Sequence, residues 1–368
     1  MKIFLVTGEE SGDIHASNMI RHLSLMADFS LYGTGGDRLK DLGQIQYFHI
    51  NDMSIIGIDG IIRKIPFIIN LFKTLKRKLL EVMPDVVILV DYPGFNLRFA
   101  KFAKENGFRV IYYIAPQVWA WHYSRIEKIK RYVDLVLCIL PFEENLFKEE
   151  GINAKFVGNP IIDNMKYKIN NRSDFMNLFS LNKDKRIIGV LPGSRVKEIK
   201  SLMPVIMQAI KNLKNEFQFV IAKADNVDKL ILHSYVDKEK IPIATGYNYD
   251  VMKYSDLLWV CSGTATLESA IIGTPLILIY KVGKITEMLG KLFIKTKYIG
   301  LPNIVTDKEV VPELLQNSLI PENLIDYTFK LIDNYEYYKS ELSKIGEIFS
   351  IYNPSQQAAQ EIYSFLNS

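Results

Sequence analysis

Two short stretches in the second half of the chain carry the residue types that hold phosphate. Leu191–Arg195 reads LPGSR, and Leu257–Lys281 reads LLWVCSGTATLESAIIGTPLILIYK; each sets a glycine and small hydroxyl residues directly after an apolar run of strand length. The glycine frees the backbone to turn, and the amides that follow open a helix whose positive end points at the same spot. Gly193, Ser194, Ser262, Gly263 and Thr264 therefore predict a seat for a diphosphate gripped from two directions. Arg195 adds a planar guanidinium fork for its oxygens. Glu268, farther along the helix after the second turn, either accepts the vicinal hydroxyls of a ribose or simply complements its own helix dipole. Asn303, in the loop GLPN, either reads a nucleobase edge or the diphosphate, or caps its own turn. Asp91 directly follows the strand-like run DVVILV. A carboxylate there loses water, which raises its pKa toward what a general base for a sugar hydroxyl needs; alternatively it opens the Pro-Gly turn that follows. Asp13 is a second candidate base, or the cap of a helix that starts at Ile14. Trp119 and Trp121 suit stacking on a sugar or closing a cleft.

Other chemistries lack their residues. The five histidines, at 15, 22, 49, 122 and 233, show no metal-ligand spacing and no pairing with a Ser or Cys nucleophile, so neither a metal site nor a hydrolase triad is expected. No Asp-x-Asp exists to clamp a diphosphate through a cation, and no Gly-Lys-Ser loop to hold ATP. The cluster GTGGD, 33–37, follows the second strand and lacks the third spaced glycine, so no nicotinamide cofactor is expected. No cofactor of any kind is called for. Cys138 and Cys261 lie in apolar runs, as buried reduced thiols would. A net charge of +4 over 368 residues gives no argument for nucleic acid.

These residues need a frame, and the rest of the sequence supplies one. The chain is 48% hydrophobic and 23% charged, an ordinary globular composition long enough for two cores. Strand-like and helix-like segments alternate from Ile3 to Val157, thin out over Asp163–Lys185, and begin again at Arg186, a succession that predicts parallel sheets covered on both faces. The fold class is α/β, with two Rossmann-like domains whose parallel sheets face a central cleft. The expected boundaries are an N-terminal acceptor domain over 1–165, a linker over 166–185, a donor domain over 186–350 and a C-terminal helix over 351–368 that crosses back or is swapped in a dimer. Within this frame the pattern predicts helices over Pro66–Glu81, Leu202–Leu213 and Pro312–Gln316, the first with proline in its opening turn. MKIFLVTGEE runs from strand into turn and does not resemble a signal peptide, and no apolar run approaches the roughly 18 residues of a spanning helix.

Seven motifs in one order, GEESGD, VDYPGFNLR, YYIAPQVWAW, FVGNP, LPGSR, SGTATLE and GLPNI, closely resemble lipid-A-disaccharide synthase, a family of inverting glycosyltransferases of the GT-B type. The resemblance runs from Lys2 to about Gln316. It implies transfer of 2,3-diacylglucosamine from UDP-2,3-diacylglucosamine to 2,3-diacylglucosamine 1-phosphate, with a β-1,6 bond formed and UDP released. It carries catalytic importance to Asp91 and Arg195, and importance to Asn303. Taken with the reading of the turns above, the candidate substrate-binding residues are Gly8, Ser11, Gly12, Asp13, Asn96, Gln117, Trp121, Gly193, Ser194, Ser262, Gly263, Thr264, Thr266, Glu268 and Asn303. Gly94, Asn159 and His122 stand where family members often carry an acidic residue, His and Arg. The resemblance further implies a cytoplasmic enzyme on the inner face of the inner membrane, with a homodimer as an option. Ile61–Leu80 and Lys281–Lys297 interleave Ile, Phe, Leu and Met with basic residues; each either meets a membrane surface or packs on its own sheet with a solvated lysine face, and for the first segment the membrane reading is preferred because the substrates the resemblance implies are acylated.

Overall fold

Strand sequences in both halves are unbroken apolar runs: Val86–Val90 is VVILV and Leu257–Cys261 is LLWVC, and every residue of both is buried. Strands buried on two faces need helices on two sides, which parallel pairing with helical crossovers provides. The computed structural model of the chain describes residues 1–53, 58–120, 123–283, 296–350 and 353–368. It divides into two compact units, Met1–Asp163 with Tyr352–Ser368, and Asn164–Ile351.

The first unit holds β1 (Lys2–Val6), β2 (Ser30–Gly35), β3 (Ile45–His49), β4 (Val86–Val90), β5 (Val110–Tyr113), β6 (Leu135–Cys138) and β7 (Ala154–Phe156). They form one parallel sheet in the order β3-β2-β1-β4-β5-β6-β7. Alternation divides its side chains: Phe4, Val6, Val87 and Leu89 join Leu71, Leu75 and Leu79 of helix Ile58–Val82 on one face. Ile3, Leu5, Val86 and Ile88 join Met19 and Ile20 of helix Glu10–Leu23 on the other. The final helix, Pro354–Asn367, adds Ala358, Ala359 and Ile362 to that second face. It is pinned there by Arg109, which donates to the carbonyls of Phe365 and Leu366, and by the Ser355 N–H, 3.1 Å from Asp163 Oδ2.

The second unit repeats the design with β8 (Arg186–Leu191), β9 (Phe217–Lys223), β10 (Ile243–Thr245), β11 (Leu257–Cys261), β12 (Leu276–Tyr280) and β13 (Glu313–Leu315), in the order β10-β9-β8-β11-β12-β13. In both sheets the chain winds outward in two directions from a central pair, β1 with β4 and β8 with β11. Open parallel sheets bind ligands beyond the carboxyl ends of such a pair.

Several elements differ from the sequence expectation. The helix expected from Pro66 begins at Ile58, with Pro66 inside it. Helix Val196–Leu213 starts at once after Arg195 and carries Pro204 internally, its stripe of Ile199, Leu202, Met203, Ile206 and Ile210 buried. Burial of such a stripe outweighs the helix propensity of one residue. The stretch expected as a helix over Pro312–Gln316 is mostly strand: Glu313–Leu315 pairs with Leu278–Tyr280, a tertiary pairing that overrides local preference, and only Gln316 opens a short 3-10 turn. GLPN is not an open loop, because Leu301–Thr306 is helical with Pro302 in the first turn. Residues 166–185, read above as a linker, carry helix Arg172–Leu178 and bond into the second unit, the amides of Lys168 and Ile169 donating to Asp250 and Arg172 pairing with Asp256.

Candidate functional site

At the β8/β11 pair, the turn Gly193–Arg195 and the turn Ser262–Thr264 line one cavity of about 550 Å³, together with Ala222 and Ala224, Asn248 and Tyr249, and Glu268. Both turns depend on glycine. Gly193 has φ +112° and Gly263 φ +150°, backbone conformations that residues with a Cβ avoid. Helix Thr264–Ile272 opens directly on the cavity, and the amides of its first turn have no acceptor within the helix. Ser262 lies at the rim, its own N–H given to Ile279 O at 3.1 Å.

Arg195 reaches into this space with its side chain 79% exposed, paired through Nη1 with Glu198 Oε1 at 3.0 Å. Glu198 was not among the residues read from the sequence. Its Oε2 also accepts the N–H groups of Ser194 and Arg195, both at 3.1 Å, so the Ser194 amide expected for diphosphate is already engaged. The missed signal was an acidic residue in the first turn of a helix beginning at Val196; Arg195, not Ser or Thr, stands at the cap, which hides the usual capping pattern.

Glu268 accepts the Tyr249 hydroxyl at 2.8 Å, and both line the cavity. Burial raises the Glu268 carboxyl above its ordinary range, and the bond from Tyr249 partly offsets the rise. Two other candidates belong to the frame. Thr266 is fully buried and donates its hydroxyl back to Gly263 O at 2.7 Å, closing the turn from inside. Asn303 is also fully buried: Nδ2 donates to Val311 O and Glu313 Oε1, each at 2.8 Å, and Oδ1 accepts the amides of Val310 and Val311 at 2.8 and 2.9 Å. Both ends of the Asn303 amide are engaged, by the backbone of Val310 and Val311 and by the Glu313 carboxylate, which fits the alternative of a local structural cap.

In the first unit the carboxyl ends of β1 and β4 bring Glu9 and Asp91 together. Asp91 sits in a left-handed conformation, φ +48°, as does Tyr92 at +49°. Two such residues in succession are strained and persist only when held. Here the Asp91 carbonyl is held by Asn96 Nδ2 and by the Tyr112 hydroxyl, both at 2.7 Å. Desolvation raises the Asp91 carboxyl, the nearby Glu9 carboxylate raises it further, and a bond from the Tyr92 backbone partly opposes both. Glu9 escaped the sequence reading because only the β1/β4 pairing brings it beside Asp91.

The remaining candidates divide between surface and frame. Ser11 and Gln117 are exposed; Trp121 lies outside the described residues. Gly8 lies under the Tyr92 ring, where a Cβ would come within 2.6 Å of its carbons, and a Cβ on Gly12 would meet Thr7 Oγ1 at 2.1 Å. Asp13 is 3% exposed and accepts the amides of Gly36, Arg38 and Leu39 at 2.6, 3.3 and 3.4 Å. Its carboxylate thereby caps the neighbouring helix Asp37–Asp41, which lies on the same face of the sheet, and not its own helix. Asn96 is fully buried and braces the Asp91 turn. Trp119 is anchored by its indole N–H to Glu143 at 2.9 Å; burial pushes that carboxyl up to about 7.

Comparison with known proteins supplies the chemistry that such a site serves. The family model described as Lipid-A-disaccharide synthetase matches residues 3–364. A lipid-A-disaccharide synthase of Coxiella burnetii (strain RSA 331 / Henzerling II) is 35% identical, covering 100% of this chain and 99% of the relative. Another, of Myxococcus xanthus (strain DK1622), is 37% identical over 88% of this chain and 86% of its own. Among solved structures, a UDP-GlcNAc 2-epimerase from Neisseria meningitidis bound to UDP-GlcNAc is similar with a TM-score of 0.60 at 16% identity, covering 100% of this chain and 99% of that one. A glycosyltransferase from Rickettsia africae ESF-5 is similar with a TM-score of 0.58 at 12% identity, covering 99% and 97%. These structural likenesses show a shared GT-B type fold. With the family model matched from residue 3 to residue 364 and relatives above one residue in three identical, this chain belongs to the lipid-A-disaccharide synthase family of glycosyltransferases.

Proposed function

We propose that this chain joins two acylated glucosamine units as its family does, with Arg195 and the Gly263–Thr264 amides holding the donor's diphosphate and Asp91 acting as the base. The donor is UDP-2,3-diacylglucosamine and the acceptor 2,3-diacylglucosamine 1-phosphate. Asp91 takes the proton of the acceptor's 6-hydroxyl as that oxygen attacks the anomeric carbon from the face opposite UDP. The bond to UDP breaks, its electron pair leaves with the diphosphate, and one displacement inverts the anomeric centre to give a β-1,6 linkage. Arg195 and the helix-opening amides receive the departing charge. Glu268, oriented by Tyr249, accepts the ribose hydroxyls. The observation that carries this reading is the convergence of two glycine turns, the Arg195 guanidinium and the buried Glu268 carboxylate on a single cavity at the β8/β11 pair.

Incubating the protein with both acylated sugars and following UDP and disaccharide tests the reaction; release of neither removes it. UDP-N-acetylglucosamine alone serves as the control, since conversion at carbon 2 would point to an epimerase of the same fold.

The acyl chains of both substrates bring the enzyme to a bilayer, and we assign that contact to helix Ile58–Val82. Its described outward side includes Ile69, 49% exposed, Lys73 and Leu80, 44% exposed, with Met83 just past its end at 62%. Lys76 and Lys78 belong to the frame: Lys76 lies over the rings of Phe72 and Phe102 at 4.8 and 4.3 Å, and Lys78 pairs with Glu81 at 2.6 Å. Arg63, Lys64 and most of the segment 281–297 lie outside the described side chains. The surface met is the inner face of the inner membrane.

A further inference from the structure

On one side of the cavity, the groups that would receive a diphosphate are engaged by a side chain of the helix that follows their turn. Glu198 accepts the Ser194 and Arg195 amides and the Arg195 guanidinium, at 3.1, 3.1 and 3.0 Å. The turn is moulded to it, since a Cβ on Gly193 would lie 2.6 Å from Glu198 Oε2 and 2.8 Å from Glu198 Cβ. Its side chain is only 11% exposed, against 79% for Arg195. Among the described residues lining the cavity, Arg195 is the one cation, whereas Glu198, Asp225 and Glu268 are acids. A nucleoside diphosphate therefore meets a carboxylate at the donors it needs, and like charges at such range repel.

We propose that Glu198 is a positioning residue that competes with the diphosphate for these three donors: it keeps the turn and Arg195 ordered while the cavity is empty, yields them when the donor sugar binds, and by reclaiming them speeds the departure of UDP. The inference rests on the reading of the cavity as the donor site. It differs from a plain capping box, in which Glu198 serves only the helix start and its charge is irrelevant to ligands.

Glu198→Gln separates the two, because glutamine keeps an oxygen for the Ser194 and Arg195 amides and removes the charge. Calorimetric titration of UDP, and of uridine as the phosphate-free control, into wild type and variant reads the difference. The expected result is UDP binding tightened on the order of tenfold, about 1.4 kcal/mol, with uridine binding unchanged and stronger inhibition of transfer by UDP. Unchanged or weakened UDP binding in a variant that melts like wild type overturns the competition. Equal tightening of uridine overturns it as well, by showing a general change of the cavity. If wild type binds uridine yet UDP binds no better, the cavity is not a diphosphate site, and the donor reading falls together with this one.

Discussion

At Asp91 the backbone is left-handed, a conformation asparagine adopts as readily as aspartate, so Asp91→Asn removes the charge and keeps the turn. The native carboxyl has a raised pKa. It therefore holds a proton where the unfolded chain has lost it: its contribution to stability is fully present below the ordinary aspartate pKa and is lost as pH rises through the raised native value. Above that window the ionised group is a net cost to the fold. Asp91→Asn should then melt no lower than wild type at pH 8 while transfer falls by about 10²- to 10⁴-fold, the usual worth of a general base. The acid limb of wild-type kcat/KM should lie above the ordinary aspartate range. Normal turnover in the variant would remove the base assignment. Arg195→Ala should cost transfer about 3–4 kcal/mol with little change in melting, because its guanidinium is largely exposed and Glu198 keeps its two amide partners when the guanidinium is removed. Stopped-flow measurement of the transfer step in that variant checks it, and an unchanged rate would rule out leaving-group stabilisation by this guanidinium.

Among elements, helix Leu301–Thr306 shows how a short motif changes meaning once packed. The amides of Ile299 and Gly300 are gathered by Glu313 of β13, at 3.0 and 2.9 Å to its two oxygens, and Asn303 binds the same carboxylate and the chain just before it. Asn303→Ala strands two buried amides, so unfolding in urea should show a loss of about 2–4 kcal/mol, with uridine affinity unaltered in the folded fraction. A variant as stable as wild type that has lost uridine would restore Asn303 to the ligand. GLPN reads as loop because proline, glycine and asparagine are turn residues; it folds as a helix because β13 supplies a carboxylate that a local window never contains. Glu313–Leu315 is a strand for a similar reason, since only its pairing with β12 distinguishes PELLQ from a helix start. Glu198 lies between these cases: an acid in a first turn is visible in the sequence, but that its oxygens cover the amides of a phosphate turn depends on a helix that begins one residue after Arg195.

For the molecule as a whole, no helix among the described residues is long and apolar enough to cross a membrane, so the proposed contact is an interfacial one. Ile69→Glu/Leu80→Glu should reduce flotation with vesicles containing anionic lipid while leaving turnover of detergent-dispersed substrate unchanged; equal recovery of wild type and variant would detach helix Ile58–Val82 from this role. By itself the sequence determined the α/β class, the two parallel sheets, both glycine turns and the place of Asp91 at a strand end. Each of these is written in short-range terms: apolar runs of strand length, glycine directly after them, a carboxylate where a buried strand stops. Tertiary structure alone decided which polar residues remain available. Asp13, Asn96 and Asn303 look as free in the sequence as Arg195 does, but their partners lie elsewhere along the chain, and a buried polar group must be satisfied by whatever the fold brings to it. Arg195 and Asp91 keep exposed or partly exposed side chains at strand ends, where the sheet has run out of backbone to spend them on.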